Sequence, residues 1–152
     1  MCIPSLTRTM VASLGLVLSL CACRVDAYVL APGTEHGWVT IEEGNTSCPA
    51  QPAAFLYVAF QVPRSREACT STATYDGWHF VRYYLTHDDG HSSRLKLDDM
   101  IHNPEFFAVG QMGTRCFFSG THFFFGTAEE LETTPPAAFS LEYKTSHHPE
   151  CL

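Results

Sequence analysis

The chain has 152 residues, 45% of them hydrophobic and 16% charged, with nine basic against sixteen acidic side chains and a net charge of −7. That acidity argues against a nucleic-acid role, because phosphate binding needs a basic surface. It names no partner by itself, since a charge of this size also keeps a small exported domain soluble.

The first segment reads as an export signal. Arg8 precedes an apolar run from Met10 to Cys23, and Val25-Asp26-Ala27 places small or aliphatic residues where a signal peptidase cuts. The expected cut follows Ala27, leaving residues 28–152 as a single secreted β-rich domain with seven basic and fifteen acidic residues. The apolar run is shorter than the roughly 18–20 residues that cross a bilayer, so no direct membrane span is expected. A second processing reading takes Leu20-Cys21-Ala22-Cys23 as a bacterial lipoprotein box, with Cys23 the lipidated first residue.

Cysteine use fits an oxidising compartment. Cys2, Cys21 and Cys23 leave with a signal cut after Ala27, and Cys48, Cys69, Cys116 and Cys151 remain as an even set. Four cysteines permit three connectivities. Closing near neighbours costs less loop entropy, which favours Cys48–Cys69 and Cys116–Cys151. Asn45-Thr46-Ser47 forms a glycosylation sequon just before Cys48, in a stretch that reads as an exposed loop.

In chain order, strands are expected at His36–Glu43, Ala54–Val62, Trp78–Thr86, Thr114–Phe118, Thr121–Phe125 and Phe139–Thr145. Each is short, rich in β-branched or aromatic residues, and bounded by Gly, Pro, Asn or Asp. Asp76-Gly77 and Asp89-Gly90 are turn dipeptides, and the polar run from His87 to Ser93 reads as a hairpin-type loop. Ser119-Gly120 is expected to separate two aromatic strands. Helix is limited to a turn or two at Leu97–His102, ahead of Pro104, and at Thr127–Leu131, ahead of Pro135-Pro136. The fold class is therefore mainly β, a small disulfide-bonded antiparallel sandwich-like domain with little helix.

Catalytic chemistry is not signalled. No Gly-x-Ser-x-Gly elbow, phosphate-binding loop or His-Glu-x-x-His run is present, and the adjacent acids Asp98-Asp99 and Glu129-Glu130 point apart on either regular structure. His87-Asp88-Asp89-Gly90-His91 gathers imidazoles and carboxylates on one loop, with His147-His148 further on, but lacks the repeated close ligand pairs of zinc sites. No cofactor, metal or enzyme activity is expected. The unusual feature is aromatic density. Phe106-Phe107, Phe117-Phe118 and Phe123-Phe124-Phe125 lie close together in sequence, and neighbours on a strand face opposite ways. Both faces must then meet something apolar, either a second layer of the same domain or another protein's surface, and on the second reading Phe117, Phe118, Phe123, Phe124 and Phe125 are candidates for a partner surface.

The order of these features resembles a known family. A signal peptide, Cys48-Pro49, Phe60-Gln61 leading into Cys69, Tyr83-Tyr84-Leu85, Gly113-Thr114-Arg115 before Cys116, and a strand-rich stretch ending at Cys151 resemble the β-rich accessory glycoprotein of the cytomegalovirus pentameric cell-entry complex. The resemblance covers the two ends of the exported chain and is weak from Thr70 to Gly113, which is shorter than in that family; the family also carries more sequons. It implies a partly chemokine-like α+β fold and a non-enzymatic envelope protein. Such a protein would assemble on a glycoprotein H–glycoprotein L pair, present a surface to a host receptor and set cell tropism. It would be secreted or held at the virion surface through partners. The alternative expectation is a secreted immune-evasion protein whose acidic surface captures a basic chemokine or a cytokine.

Overall fold

The computed structural model describes residues 24–54, 56–73, 79–110 and 116–135. Nine strands and one short helix occupy them: β1 Arg24–Leu30, β2 Gly37–Glu43, β3 Ala53–Ala54, β4 Tyr57–Val62, β5 Glu67–Cys69, β6 His79–Thr86, β7 Ser92–Leu95, β8 Ile101–Val109, β9 Phe118–Phe125 and α1 Ala128–Thr133. They form a five-stranded sheet in the order β3-β4-β1-β6-β7 and a four-stranded sheet in the order β5-β2-β9-β8. The mainly β class with very little helix is as expected.

The strand directions are not uniformly antiparallel. β1 runs parallel to both β4 and β6, and β5 runs parallel to β2. The cause is the path of the chain, which leaves the first sheet after β1, enters the second with β2, and returns with β3 and β4. A strand that returns from the opposite layer can re-enter in either direction, whereas a tight hairpin must reverse it. β6 and β7 are such a hairpin. Their turn is closed by the His87 amide donating to His91 and the Gly90 amide donating to His87, with Gly90 at φ +84°.

The core lies between the sheets. Tyr28, Leu30, Val58, Phe60, Val62 and Tyr83 from the first sheet meet Val39, Ile41, Ile101, Phe123 and Phe125 from the second. Alternation dictates this choice: along β1, Tyr28 and Leu30 face inward, and along β9, Phe123 and Phe125 do. Tyr28 stacks on Phe60 and Tyr83 at ring separations of 5.0 and 5.5 Å, and Phe123 packs edge-on to Tyr83 at 4.8 Å. Phe124 points to the other face of its sheet and is equally buried, held by Trp38.

Several sequence expectations change. Thr121–Phe125 is the second half of one strand that begins at Phe118, so Ser119-Gly120 is no turn. Gly120 sits opposite Glu42 in the β2–β9 ladder, where its missing side chain lets the Ile41 carbonyl approach. The segment from Ile101 onward is strand and not helix, because Pro104 sits at a bulge of the edge strand β8, where its missing amide interrupts no ladder. β1 was not expected at all, and the expected signal cut after Ala27 falls inside it. Thr127 caps α1 in a reciprocal capping box with Glu130. The expected Phe139–Thr145 strand, the Asp76-Gly77 turn, His147-His148 and Cys151 lie outside the described residues.

Candidate functional site

The inward face of β1 carries Asp26, Tyr28 and Leu30, and its polar end makes the most unusual environment in the domain. Asp26 is only 3% exposed. Its Oδ1 accepts from Arg24 Nε at 2.5 Å, while Oδ2 faces His79 Nε2 at 3.7 Å. Two residues along, the Tyr28 hydroxyl donates to Thr121 Oγ1 at 3.0 Å and approaches Glu43 Oε1 at 3.4 Å, and Thr121 Oγ1 donates to the same carboxylate oxygen at 2.9 Å. Burial beside Glu43 pushes the Tyr28 phenol far above its ordinary range, and burial alone does the same for Tyr83. Both therefore keep their protons at any physiological pH, and Tyr28 acts as a hydrogen-bond donor.

These groups line a cleft of about 290 Å³ between the sheets. Asp26, Tyr28, His79, Val81 and Tyr83 supply the wall from the first sheet; Thr121 and the β8 residues Pro104, Glu105 and Phe106 supply the other. The bulge between His102 and Glu105, with Asn103 in the left-handed region at φ +48°, sets the direction of that second wall. On the outer face of the same sheet lies a broader depression of about 470 Å³, bordered by Trp38, Asn103, Glu105, His122 and the helix residue Glu132. Glu105 borders both.

The aromatic residues expected to face a partner are placed differently. Phe118, Phe123, Phe124 and Phe125 are 6, 0, 1 and 2% exposed, and Phe117 is half-buried. Phe118, Phe123, Phe124 and Phe125 lie on β9 and are covered within the chain, so these four rings present no surface to a partner; Phe117 precedes the strand. The other sheet covers Phe123 and Phe125, while Trp38 and His102 pack against Phe124. Among the described residues, the exposed large apolar side chains are instead Tyr57, Phe80, Val81, Leu97 and Phe106.

Cys48 and Cys69 form a disulfide, and Cys116 is also disulfide-bonded. Asn45 is half-buried and occupied. Its amide Nδ2 donates to Glu42 at 2.9 Å and its Oδ1 accepts from the Ser47 amide, so the sequon residue organises the loop before Cys48. In the β6–β7 turn, His87 and His91 stack at 4.3 Å and Asp89 pairs with His91 at 2.6 Å. Among the described residues no three His, Cys, Asp or Glu side chains converge as a metal site would require.

Sequence reasoning missed Asp26 and Tyr28 because the leader reading stopped at Ala27. A signal was present: the β-type run from Val25 to Leu30 continues across that point without a break until Pro32-Gly33.

No family model matches the chain, and no curated protein does. Among solved structures, the chain is similar to a candidate lipoprotein from Bacillus anthracis, at 14% identity and a TM-score of 0.58, over 79% of this chain and 87% of that one. The match is one of fold. It says nothing for or against the resemblance in cysteine order to the cytomegalovirus accessory glycoprotein. It does point away from the function drawn from that resemblance, because a bacterial chain carries this architecture over most of its length. The expectation of a viral envelope subunit serving host-cell entry is corrected accordingly, and so is the alternative of an immune-evasion protein capturing a chemokine or cytokine. Among the described residues no helix is long and apolar enough to cross a membrane.

Proposed function

We propose that this chain is a bacterial envelope lipoprotein: an exported, non-catalytic binding domain tethered to a membrane through a lipid on Cys23. The observation that carries the reading is the position of β1. It is the central strand of its sheet and is already paired at its Arg24 end, with Arg24 opposite His79 and Val25 opposite Tyr57. Cleavage after Ala27 would remove Arg24 to Ala27, and with them the buried Asp26, its pairing to Arg24, three of the six pairs to β4 and four of the seven to β6. Cleavage before Cys23, at the end of Leu20-Cys21-Ala22, keeps the strand whole. The fold of the Bacillus anthracis candidate lipoprotein supports the same reading. A lipidated Cys23 would still leave Cys48, Cys69, Cys116 and Cys151 as an even set for bridging.

A doubly acylated cysteine holds a protein at a membrane firmly, since each buried methylene contributes about 0.8 kcal/mol. A domain anchored this way needs no spanning helix. The non-catalytic reading is supported by the cleft, where the hydroxyls of Tyr28 and Thr121 are engaged with each other and with Glu43.

The test is to express the complete sequence in a bacterial host, separate membranes from soluble fractions, and measure the intact mass of the mature chain. The expected species starts at Cys23, carries the added mass of acyl chains and partitions into detergent, while Cys23→Ser accumulates unprocessed. A soluble mature protein starting at Tyr28 would overturn the proposal.

A further inference from the structure

We infer that the outer face of the first sheet, at its Arg24 end, is a membrane-contacting surface that seats on an anionic phospholipid bilayer. The inference rests on the Cys23 anchor proposed above, because that anchor decides which end of the domain is held at the membrane.

The first observation is where the exposed apolar side chains stand. Alternation sends Asp26 and Tyr28 inward, so Val25 faces out, and its partners in the two flanking ladders, Tyr57 and Phe80, share that face. The three form one row across β4, β1 and β6. Tyr57 is 38% exposed and Phe80 60%. Leu56 belongs to the same end: it stands at φ +62°, a conformation where Gly or Asn is usual, and its carbonyl accepts from the Val25 amide at 2.8 Å. Cys23 is two residues from Val25, at most about 7 Å along the chain, and neighbouring strands lie about 4.8 Å apart. The Cα atoms of Tyr57 and Phe80 are therefore within roughly 12 Å of the acylated residue. An acylated cysteine stands in the headgroup layer, which is itself roughly 5–7 Å deep on each side of the hydrocarbon. A tether this short brings the row to that layer.

The second observation is the charge of the face. The chain has sixteen acidic against nine basic residues, so a broad face without carboxylates stands out. The outward positions of β1, β3, β4, β6 and β7 include no Asp or Glu, and they include Arg82, opposite Ala27, and Arg94, opposite Tyr84. Both arginines are exposed, Arg82 one outward position beyond Phe80 and Arg94 on the neighbouring strand. Guanidinium groups pair with phosphate through two parallel hydrogen bonds, and aromatic rings settle at headgroup level. The acidic excess lies elsewhere on the chain and is repelled by an anionic bilayer, so this face is the one that approaches.

The test uses the mature acylated protein, purified from bacterial membranes and reconstituted into vesicles of phosphatidylethanolamine and phosphatidylglycerol with brominated acyl chains, which quench a nearby tryptophan. Phe80→Trp reports from the proposed surface, and Glu132→Trp from α1, which borders the outer face of the other sheet. Both positions are exposed, so folding is not at stake. Each signal is read as the difference from the unsubstituted protein in the same vesicles. The expected result is that the emission added at position 80 falls by roughly half relative to unbrominated vesicles, while that at position 132 is unchanged. Adding Arg82→Glu and Arg94→Glu to Phe80→Trp should reduce the quenching about twofold or more. Equal responses at the two positions, no quenching at position 80, or quenching untouched by the arginine substitutions would overturn the inference. Emission at position 80 that follows the protein-to-lipid ratio and ignores bromine would overturn it too, as the mark of a second copy seated on this face. A soluble chain starting at Tyr28 overturns the anchor and, with Val25 gone, this surface as well. An acylated chain starting at Cys23 whose position 80 is not quenched overturns only the surface.

Discussion

The hydroxyl of Tyr28 lies 3.0 Å from Oγ1 of Thr121, tying the central strand of one sheet to an interior strand of the other. The Glu43 carboxylate accepts from both. A polar link through an aromatic core is stabilising only while each member keeps its partners.

Tyr28→Phe is therefore expected to lower stability by about 1–2 kcal/mol, through the lost hydrogen bond and the weaker satisfaction of a buried carboxylate. Phe123→Ala, which empties the ring position between Tyr28 and Tyr83, should cost about 3–5 kcal/mol. Urea unfolding reports both as shifts in midpoint with an unchanged slope. A Tyr28→Phe midpoint equal to wild type would remove any energetic role for the link.

A methyl group at position 120 would sit 1.9 Å from the Ile41 carbonyl oxygen and press on the Phe107 ring. Both are parts of the second sheet, and the carbonyl cannot swing aside without breaking the ladder. Gly120→Ala should destabilise by about 1–3 kcal/mol or more. The loss should appear first as faster amide exchange along β2 and β9, in contrast to Gly90→Ala, where no atom lies within reach of the added group and the strain of φ +84° falls on the β6–β7 turn.

Cys69 ends β5, a three-residue edge strand, and its bridge to Cys48 closes a loop with a sequence separation of 21. Replacing both cysteines with serine should cost about 2–4 kcal/mol, chiefly by freeing the unfolded chain. The check is a thermal scan of the double variant beside the oxidised protein. Coincident melting curves would mean that β5 is held by its pairing to β2 alone.

Glu130 joins α1 to the loop before β2 by accepting from His36 Nδ1 at 2.8 Å, while also capping the helix through Thr127. The His36 bond and the Thr127 amide hold its carboxyl down to about 2. A carboxyl depressed on folding contributes stability above its ordinary value of 4.5, and loses it as pH falls through about 2. Carboxyl NMR shifts should place the Glu130 titration well below 4.5. His36→Ala should move it back toward 4.5.

How far the sequence revealed this fold depended on where its signals were local. The spans of β2, β4 and β6 were visible because each is a short β-branched or aromatic run between turn residues, and α1 because Pro135-Pro136 bounds it. β8 was obscured by Pro104, which ends a helix or a central strand but fits a bulged edge. Strand direction could not be read, since alternation fixes which face a residue takes and says nothing about which strand lies beside it. The phenylalanine run was noticed, with two sources of cover left open. Abundant aromatics require cover on both faces, and sequence cannot tell whether a neighbouring layer or another molecule provides it. The cleft was hidden for a different reason: Asp26 and Tyr28 stand where a leader was expected to end.

The placement of β1 also bears on how the domain is assembled. Its two partners run parallel to it and come from segments beyond Tyr57 and His79, so no hairpin can nucleate the middle of that sheet. Contacts this distant along the chain must close long loops before they yield any stabilisation, which slows folding. Until β6 has been made and delivered, β1 keeps an unpaired edge and exposes the aromatic face of Tyr28, a combination prone to adhere to other chains. The earliest strand of this domain is thus among the last to be satisfied, and a nascent chain halted before Leu85 would be expected to need a chaperone.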